Sequence, residues 1–488
     1  MVSIVLSWLA CGATDSPPTS DGPPPGGTTS TPSPPTGTSP GVGGLSGSCV
    51  PATDNVLRVV CTLTTETPEE LTLTWVPSDG SDVAYGLTSA EAADHVVTAR
   101  RMKAETTYTW EATTPSGGRV SGAWTTGALP TQADVEVSVD GDLGLVNDLL
   151  APRACEAGSV VLAVSGDGDV VWYQDVDVDL PSAGEIKATI ATPTDEVAVI
   201  LDNERIRRFA FDGTMTHEWV AADAGVDREL HHDLFVLGDR MWVLSAYTLD
   251  VGDETFVVDA VTVVNEDGSV AGSWDVETFA APNGDETGPP GGYWGRQFPG
   301  AVDYSHANGL FIEDDGTALV SFLNFDAVLQ VDLDPDSGDF GQVEWVLGGE
   351  GDGEIESTIA LEDPAGVTTD DTFSHQHHPT WDSDGNLRIF DNGGGSASAR
   401  LLRMSVDAAG GTAEILESWP LDVTCPAVGG HYVMDDGRLV GTCGSQSTGF
   451  IVDPAAGGVV GSVQIECSGG IGGILSRVVP VSLATRMP

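Results

Sequence analysis

Histidine is the side chain that changes charge near neutral pH and can act as nucleophile, acid, base or metal ligand. Eight of the nine histidines of this chain fall after residue 134, and their spacing is regular. Each can be counted forward to the residue in the glycine slot of the next tight turn. His306 is ten before Gly316, His375 ten and His377 eight before Gly385, and His431 six before Gly437. His231 is eight before Asp239, which fills that slot in Leu237-Gly238-Asp239. All five offsets are even. A strand alternates faces with period two, so the five imidazoles are expected on one face of equivalent strands. His232 and His378 have odd offsets and are expected to point into the sheet. His217 follows a different turn and reads as a rim residue, and His95 as a surface or strand residue.

Converging imidazoles offer three chemistries. They can bind a transition metal, but such sites usually add carboxylates at close spacing, and the nearest here are Asp233 and Asp303. They can act as general acid and base. Or one can be a nucleophile while the others, with an arginine, neutralise an anionic group in transfer. The plainer alternative is histidines that only hydrogen-bond backbone carbonyls.

The elements that must position them are hairpins. Asp-Gly turns recur at Asp167-Gly168, Asp212-Gly213, Asp267-Gly268, Asp315-Gly316, Asp384-Gly385 and Asp436-Gly437, between apolar strands such as Met241-Trp242-Val243-Leu244 and Ala318–Phe322. Hairpin units of roughly forty to seventy residues are the signature of propeller blades. Residues 134–485 therefore read as a six-bladed β-propeller with an insertion at Ala281–Gly300. The innermost strand of each blade would line a central channel, where the histidines meet. Paired sandwiches compete with this reading but do not repeat at that period. Residues 49–130 alternate apolar and polar in short runs, as in Leu71–Trp75 and Thr106–Trp110, and resemble a fibronectin type III β-sandwich, read as a spacer. The whole is expected to be all-β.

Ahead of it, residues 12–48 read as a disordered tether: from Ser16 to Gly47 every residue is Pro, Gly, Ser or Thr except Asp21, Val42 and Leu45. Residues 1–11, MVSIVLSWLAC, resemble the end of a bacterial lipoprotein signal with Cys11 as the lipidated residue. Export to the cell envelope or beyond is the expectation, with membrane contact only through that anchor. Six further cysteines, none in a C-x-x-C pair, are expected to form disulfides, Cys49–Cys61 first by proximity. With 19 basic and 74 acidic residues the net charge is −55, which excludes nucleic acid and anionic lipid surfaces as partners. No run of eighteen apolar residues is present, so no membrane-spanning helix is expected. The acidic stretch Asp332–Asp339 has the look of a calcium loop, but Val343 stands where the bidentate glutamate belongs, and it reads as a polar turn.

Asp303-Tyr304-Ser305-His306-Ala307-Asn308 resembles the D-W-x-H-x-N segment of the bacterial arylsulfotransferases. The likeness extends in order through Asp169–Tyr173, His231-His232-Asp233, Glu344–Gly349, Gln376-His377 and Phe390–Gly393. The resemblance implies a six-bladed propeller that moves a sulfuryl group from an aryl sulfate to a phenol through a sulfohistidine, with no cofactor, no metal and no nucleotide sulfate donor. It implies that His306 and His377 stabilise the sulfuryl oxygens or move the phenolic proton, and that Arg400 helps hold the anion, with Arg403 competing for that role. His231, Asn308 and Asn392 would bind substrate. The nucleophile would come from the following blade, whose histidine is His431. A tethered propeller that binds an anion or a surface partner without turnover is the alternative.

Overall fold

The computed structural model describes residues 42–487 apart from 142, 156–157, 178, 181–183, 283–291, 349–354, 369–371, 396 and 469–474. The signal-like segment, Cys11 and most of the expected tether lie outside the described residues.

Alternating burial runs through Val59–Pro77, whose apolar side chains fall on one face. This strand is the spine of the N-terminal sheet, flanked by Ser46–Pro51, Tyr85–Ala99, Thr107–Thr113 and Arg119–Thr125. The sheet curls over one core that includes Trp75, Tyr85, Trp110 and Trp124, and an isolated bridge joins Val42, ahead of the first strand, to Arg119 at the start of Arg119–Thr125. Leu45 is buried in that core, so ordered structure begins ahead of Cys49. Cys49 and Cys61 sit opposite one another on paired strands and form a disulfide.

Beyond residue 134 the described residues form six sheets of four or five strands, antiparallel except where Val302–Asp303 and Ala360–Glu362 each add a short parallel pairing. The six turn glycines at Gly168, Gly213, Gly268, Gly316, Gly385 and Gly437 take φ between 78 and 92°. Only glycine enters that region without strain, which is why Asp-Gly recurs there. The turns occupy two different places. Gly168, Gly213 and Gly268 join the third and fourth strands of the first three sheets, whereas Gly316, Gly385 and Gly437 join the first and second strands of the last three.

Six inner strands touch one another in a closed ring: Ile186–Ala191, Glu229–Leu237, Ala307–Ile312, His377–Trp381, Gly429–Val433 and Val479–Val481. This is β-propeller architecture. It is closed twice, because Val135–Asp140 adds an outer strand to the last sheet while Val479–Val481 supplies the inner strand of the first. A disulfide between Cys155 and Cys467 ties those two sheets together, and a third joins Cys425 to Cys443. Three disulfides fit an oxidising compartment. No helix among the described residues is long and apolar enough to cross a membrane. The N-terminal sheet docks on the first propeller sheet through Arg101 on Asp148 at 2.9 Å and Asn55 on the Tyr173 carbonyl at 2.8 Å.

The acidic stretch Asp332–Asp339 folds as a turn. The Asp332 and Asp334 carboxylates accept backbone N–H groups two residues on, and Arg240 pairs with Asp334 and Asp336.

Candidate active site

The inner strands open on histidines held in an unusual backbone. His232, His306, His375 and His378 have φ of 49, 52, 52 and 52°. Left-handed residues other than glycine cost about 1–3 kcal/mol and cluster at functional sites. The ladder slips beside three of them, between Leu230 and Leu234, Ala307 and Gly309, and His377 and Thr380. The slip breaks the period-two alternation on which the even offsets rested. His232 and His378 are therefore not turned away into the sheets. The His232 ring lies 4.9 Å from that of His306 and 4.5 Å from Tyr293; His378 lies 5.2 Å from His431 and 4.6 Å from Tyr432. Tyr293 and Trp294 belong to the part of the sequence read as an insertion, and Trp294 packs on His231 at 4.9 Å.

Four imidazoles are anchored through Nδ1, and their Nε2 atoms have no hydrogen-bond partner among the described residues. The anchors differ, and they set the tautomers. His377 Nδ1 lies 2.8 Å from Asn392 Oδ1 and 3.0 Å from the His375 carbonyl; both accept, so Nδ1 carries the proton and Nε2 a lone pair. The Asn392 amide is itself oriented, since its Nδ2 donates to the Cys425 carbonyl at 2.9 Å. His378 Nδ1 accepts the His431 N–H at 3.3 Å, so its Nε2 carries the proton. His306 Nδ1 pairs with Asp303 Oδ2 at 2.5 Å. His232 Nδ1 meets His231 Nδ1 at 2.8 Å.

Charge divides these groups further. Burial alone would lower the pKa of His306, but the adjoining Asp303 carboxylate outweighs it and the value is raised. Burial first, then the Arg477 charge, lowers His377 to about 3 and His378 well below its ordinary value. Burial, then Arg388 and Arg477, lowers His431 to about 3. His232 is depressed by burial and by the charges of His306, His231, His377 and Arg477. One imidazole is thus held towards its cationic form amid several held neutral.

The other expected site residues take varied places. His431 is buried on its strand, with Nε2 3.1 Å from the Thr380 hydroxyl and Nδ1 buried with no hydrogen-bond partner among the described residues. His231 is 0 % exposed and its Nε2 sits 3.0 Å from Asp259 Oδ1, off the line of a hydrogen bond. Asn308 is also 0 % exposed, its amide donating to the Gln376 carbonyl at 2.8 Å and accepting from Ser321 at 2.8 Å. Arg400 pairs with Asp391 at 2.8 Å and donates to the Thr368 hydroxyl and the Thr372 carbonyl. Arg403 reaches Asp382, Asp384 and Glu417 around the hairpin turn at Gly385. His217 lies on an outer strand and His95 is buried in the N-terminal sheet, bonded to Ser89.

The cation among the imidazoles is Arg477, which sequence reasoning missed. Its one signal is rarity: an isolated arginine before the apolar run Val478-Val479 in a chain with few bases. Arg477 Nη1 pairs with Asp233 Oδ1 at 2.6 Å. With Asp233 taken by Arg477 and Asp303 by His306, no group of His, Cys, Asp and Glu among the described residues is arranged to hold a metal.

The family sequence model for arylsulfotransferases matches residues 138–406, more than half of the chain. The chain belongs to the arylsulfotransferase family. The matched span includes His231 and His377 on their inner strands and His306 just ahead of Ala307–Ile312, and ends before His431 and Arg477. No match is found among curated proteins. Solved structures similar to this arylsulfotransferase family member include a protein of unknown function from Bacteroides caccae, at 12% identity and a TM-score of 0.42, covering 69% of this chain and 99% of that one. Virginiamycin B lyase from Staphylococcus aureus is similar at 10% identity and a TM-score of 0.32, over 83% of this chain and 99% of that one. Regucalcin, a calcium-binding protein from Agrobacterium tumefaciens, is similar at 13% identity and a TM-score of 0.32, over 63% of this chain and 83% of that one.

Proposed function

We propose that this protein transfers a sulfuryl group from an aryl sulfate to a phenol at the histidine-lined channel, through a covalent sulfohistidine and without a nucleotide donor. The observation that carries the reading is the His377 tautomer, with Nδ1–H fixed on Asn392 and the Nε2 lone pair free. A neutral imidazole with an open nitrogen is the nucleophile such a transfer needs. In the first step Nε2 attacks sulfur, the bond from sulfur to the aryl oxygen breaks, and the leaving phenolate takes the proton of His306. In the second step neutral His306 removes the proton of the acceptor phenol, its oxygen attacks sulfur, and the N–S bond breaks. Asp303 stabilises His306 in its protonated form. The Nε2–H of His378 is a donor for the sulfuryl oxygens; losing one such donor typically costs on the order of a hundredfold in rate. Cys11 would carry the lipid that anchors the protein at the cell envelope.

His431 is the second candidate nucleophile, favoured by its neutral ring and unpartnered Nδ1. Intact-mass measurement after exposure to an aryl sulfate alone separates them. The parent should gain one sulfuryl group, His377→Asn none, and His431→Asn should still gain it. Retention of the adduct in His377→Asn with its loss in His431→Asn would transfer the role. A parent that binds aryl sulfate yet gains no adduct and releases no phenol would be a binding propeller instead.

A further inference from the structure

Arg477 lies beyond the span shared with the family and is contributed by the closing segment of the propeller. The residue is 4 % exposed, and its guanidinium reaches three inner strands. Nη1 meets Asp233 Oδ1 at 2.6 Å, Nη2 donates to the Asn308 carbonyl at 3.2 Å, and Nε to the Gly429 carbonyl at 3.4 Å. Each contacted residue is one or two positions from a channel imidazole: His232, His306 and His431 respectively. A side chain at Gly430 would meet Arg477 Cδ at 2.8 Å and Nε at 2.9 Å, so the strand bearing His431 leaves room for this arginine. The arginine's own segment is fixed on both sides. Val478 N–H donates to the Thr442 hydroxyl at 2.9 Å, and Val479–Val481 pairs with Asp148–Leu150.

We propose that Arg477 is a positioning residue of the channel: its guanidinium ties three inner strands that carry or directly follow channel histidines to the closing segment and places a fixed positive charge among their imidazoles. The proposal rests on the reading of the channel as the reactive site. Arginine suits the part because its planar fork directs several donors at once and keeps its charge when buried. Asp233 stays buried against it, and the Tyr432 phenol, pushed up to about 12 by burial, shares the space. Among the channel imidazoles, His232, His377, His378 and His431 feel the arginine's charge; Arg388 and the neighbouring imidazoles of His231, His306, His377 and His431 supply the other positive charges acting among them. A lysine in this place would keep the charge and lose the fork. A neutral residue would lose both.

The test is a pH titration of ring resonances in protein labelled at histidine, without substrate, alongside transfer assays. In Arg477→Met the imidazoles that feel the arginine should titrate higher by about one pH unit or more. Should the bared Asp233 keep that variant from folding, Arg477→Met/Asp233→Asn removes both charges and should show a smaller rise in the same direction. Arg477→Lys should titrate like the parent while transferring at least about tenfold more slowly, since its single amine cannot reproduce the three contacts. Ring titrations unchanged in the neutral variants, or parent-like transfer in Arg477→Lys, would overturn the proposal. If only Arg477→Lys folds, its titration and rate decide alone. Because the titration needs no substrate, a parent that transfers nothing would sink the sulfotransferase reading and leave this one standing.

Discussion

Asn392 Oδ1 accepts from His377 Nδ1 at 2.8 Å while its own Nδ2 is held by the Cys425 carbonyl, so the amide cannot turn over without losing both bonds. The imidazole tautomer is fixed by its neighbour. Asn392→Leu removes the acceptor and leaves the His375 carbonyl as the remaining partner. Sulfuryl adduct formation should slow by on the order of a hundredfold or more; a misplaced tautomer in a comparable imidazole pair costs about 10^4. Single-turnover mass spectrometry measures it, and a parent-like rate would free His377 from this role.

Asp303 raises the proton affinity of His306 against the effect of burial. Asp303→Asn should therefore lower it. If protonated His306 supplies the proton to the departing phenolate, the basic limb of the pH–rate profile must move to lower pH. The profile should narrow from that side while the limb set by the neutral histidines stays in place. Movement of the basic limb to higher pH would contradict the assignment.

The propeller was legible because Asp-Gly turns and apolar strands repeat at a hairpin period, and each turn glycine has the positive φ that explains its presence. The histidine cluster was half legible. Even offsets brought His306, His377 and His431 forward, but parity assumes an unbroken ladder, and the left-handed His232 and His378 sit where it slips. Arg477 was hidden for another reason. Its partners Asp233, Asn308 and Gly429 are 244, 169 and 48 residues away in the chain, and only ring closure brings them together (477 − 233, 477 − 308, 477 − 429). Tyr293 and Trp294 were concealed by a Gly- and Pro-rich setting that reads as loop.

Stability should fall as pH drops from about 6.5. His232, His377, His378 and His431 have folded pKa values below their unfolded ones, so the unfolded chain binds more protons in this window. Each contributes stability present above its unfolded pKa and lost as pH falls towards the folded value, at about 1.4 kcal/mol per pH unit. His306 opposes them, since its raised value contributes stability that is lost as pH rises. Denaturant unfolding between pH 7 and 5 in 1 M KCl, where surface repulsion is screened, should give a positive slope that shrinks in His378→Gln. A flat profile would contradict the depressed values.

Salt should stabilise the protein strongly. A net charge of −55 puts like charges within reach of one another over most of the exterior, and such repulsion opposes the compact state. The screening length shrinks from about 30 Å at 0.01 M to about 3 Å at 1 M, so the gain should come early and level off. Calorimetry in KCl should show Tm rising by roughly 5 °C or more up to about 0.5 M, then little. A steady rise without levelling would point to a general exclusion effect of salt on apolar surface instead.

The disulfides should differ in weight according to the loops they close. Cys155–Cys467 spans 312 residues, against 12 for Cys49–Cys61 and 18 for Cys425–Cys443. Loop-closure entropy grows with the logarithm of that number, giving about 6 kcal/mol for the long loop and about 3 kcal/mol for each short one. The long disulfide also joins the first and last propeller sheets, next to the strand pairings that close the ring. Replacing both of its cysteines by alanine should therefore lower stability more than replacing either other pair. It should also slow transfer, because the first and last sheets, between which the segment carrying Arg477 closes the ring, would lose their covalent tie and keep only the strand pairings. Guanidinium unfolding of the three double-alanine variants, with transfer measured on each, checks both. Equal losses across the three would show that ring closure is held by the strand pairings without help from the disulfide.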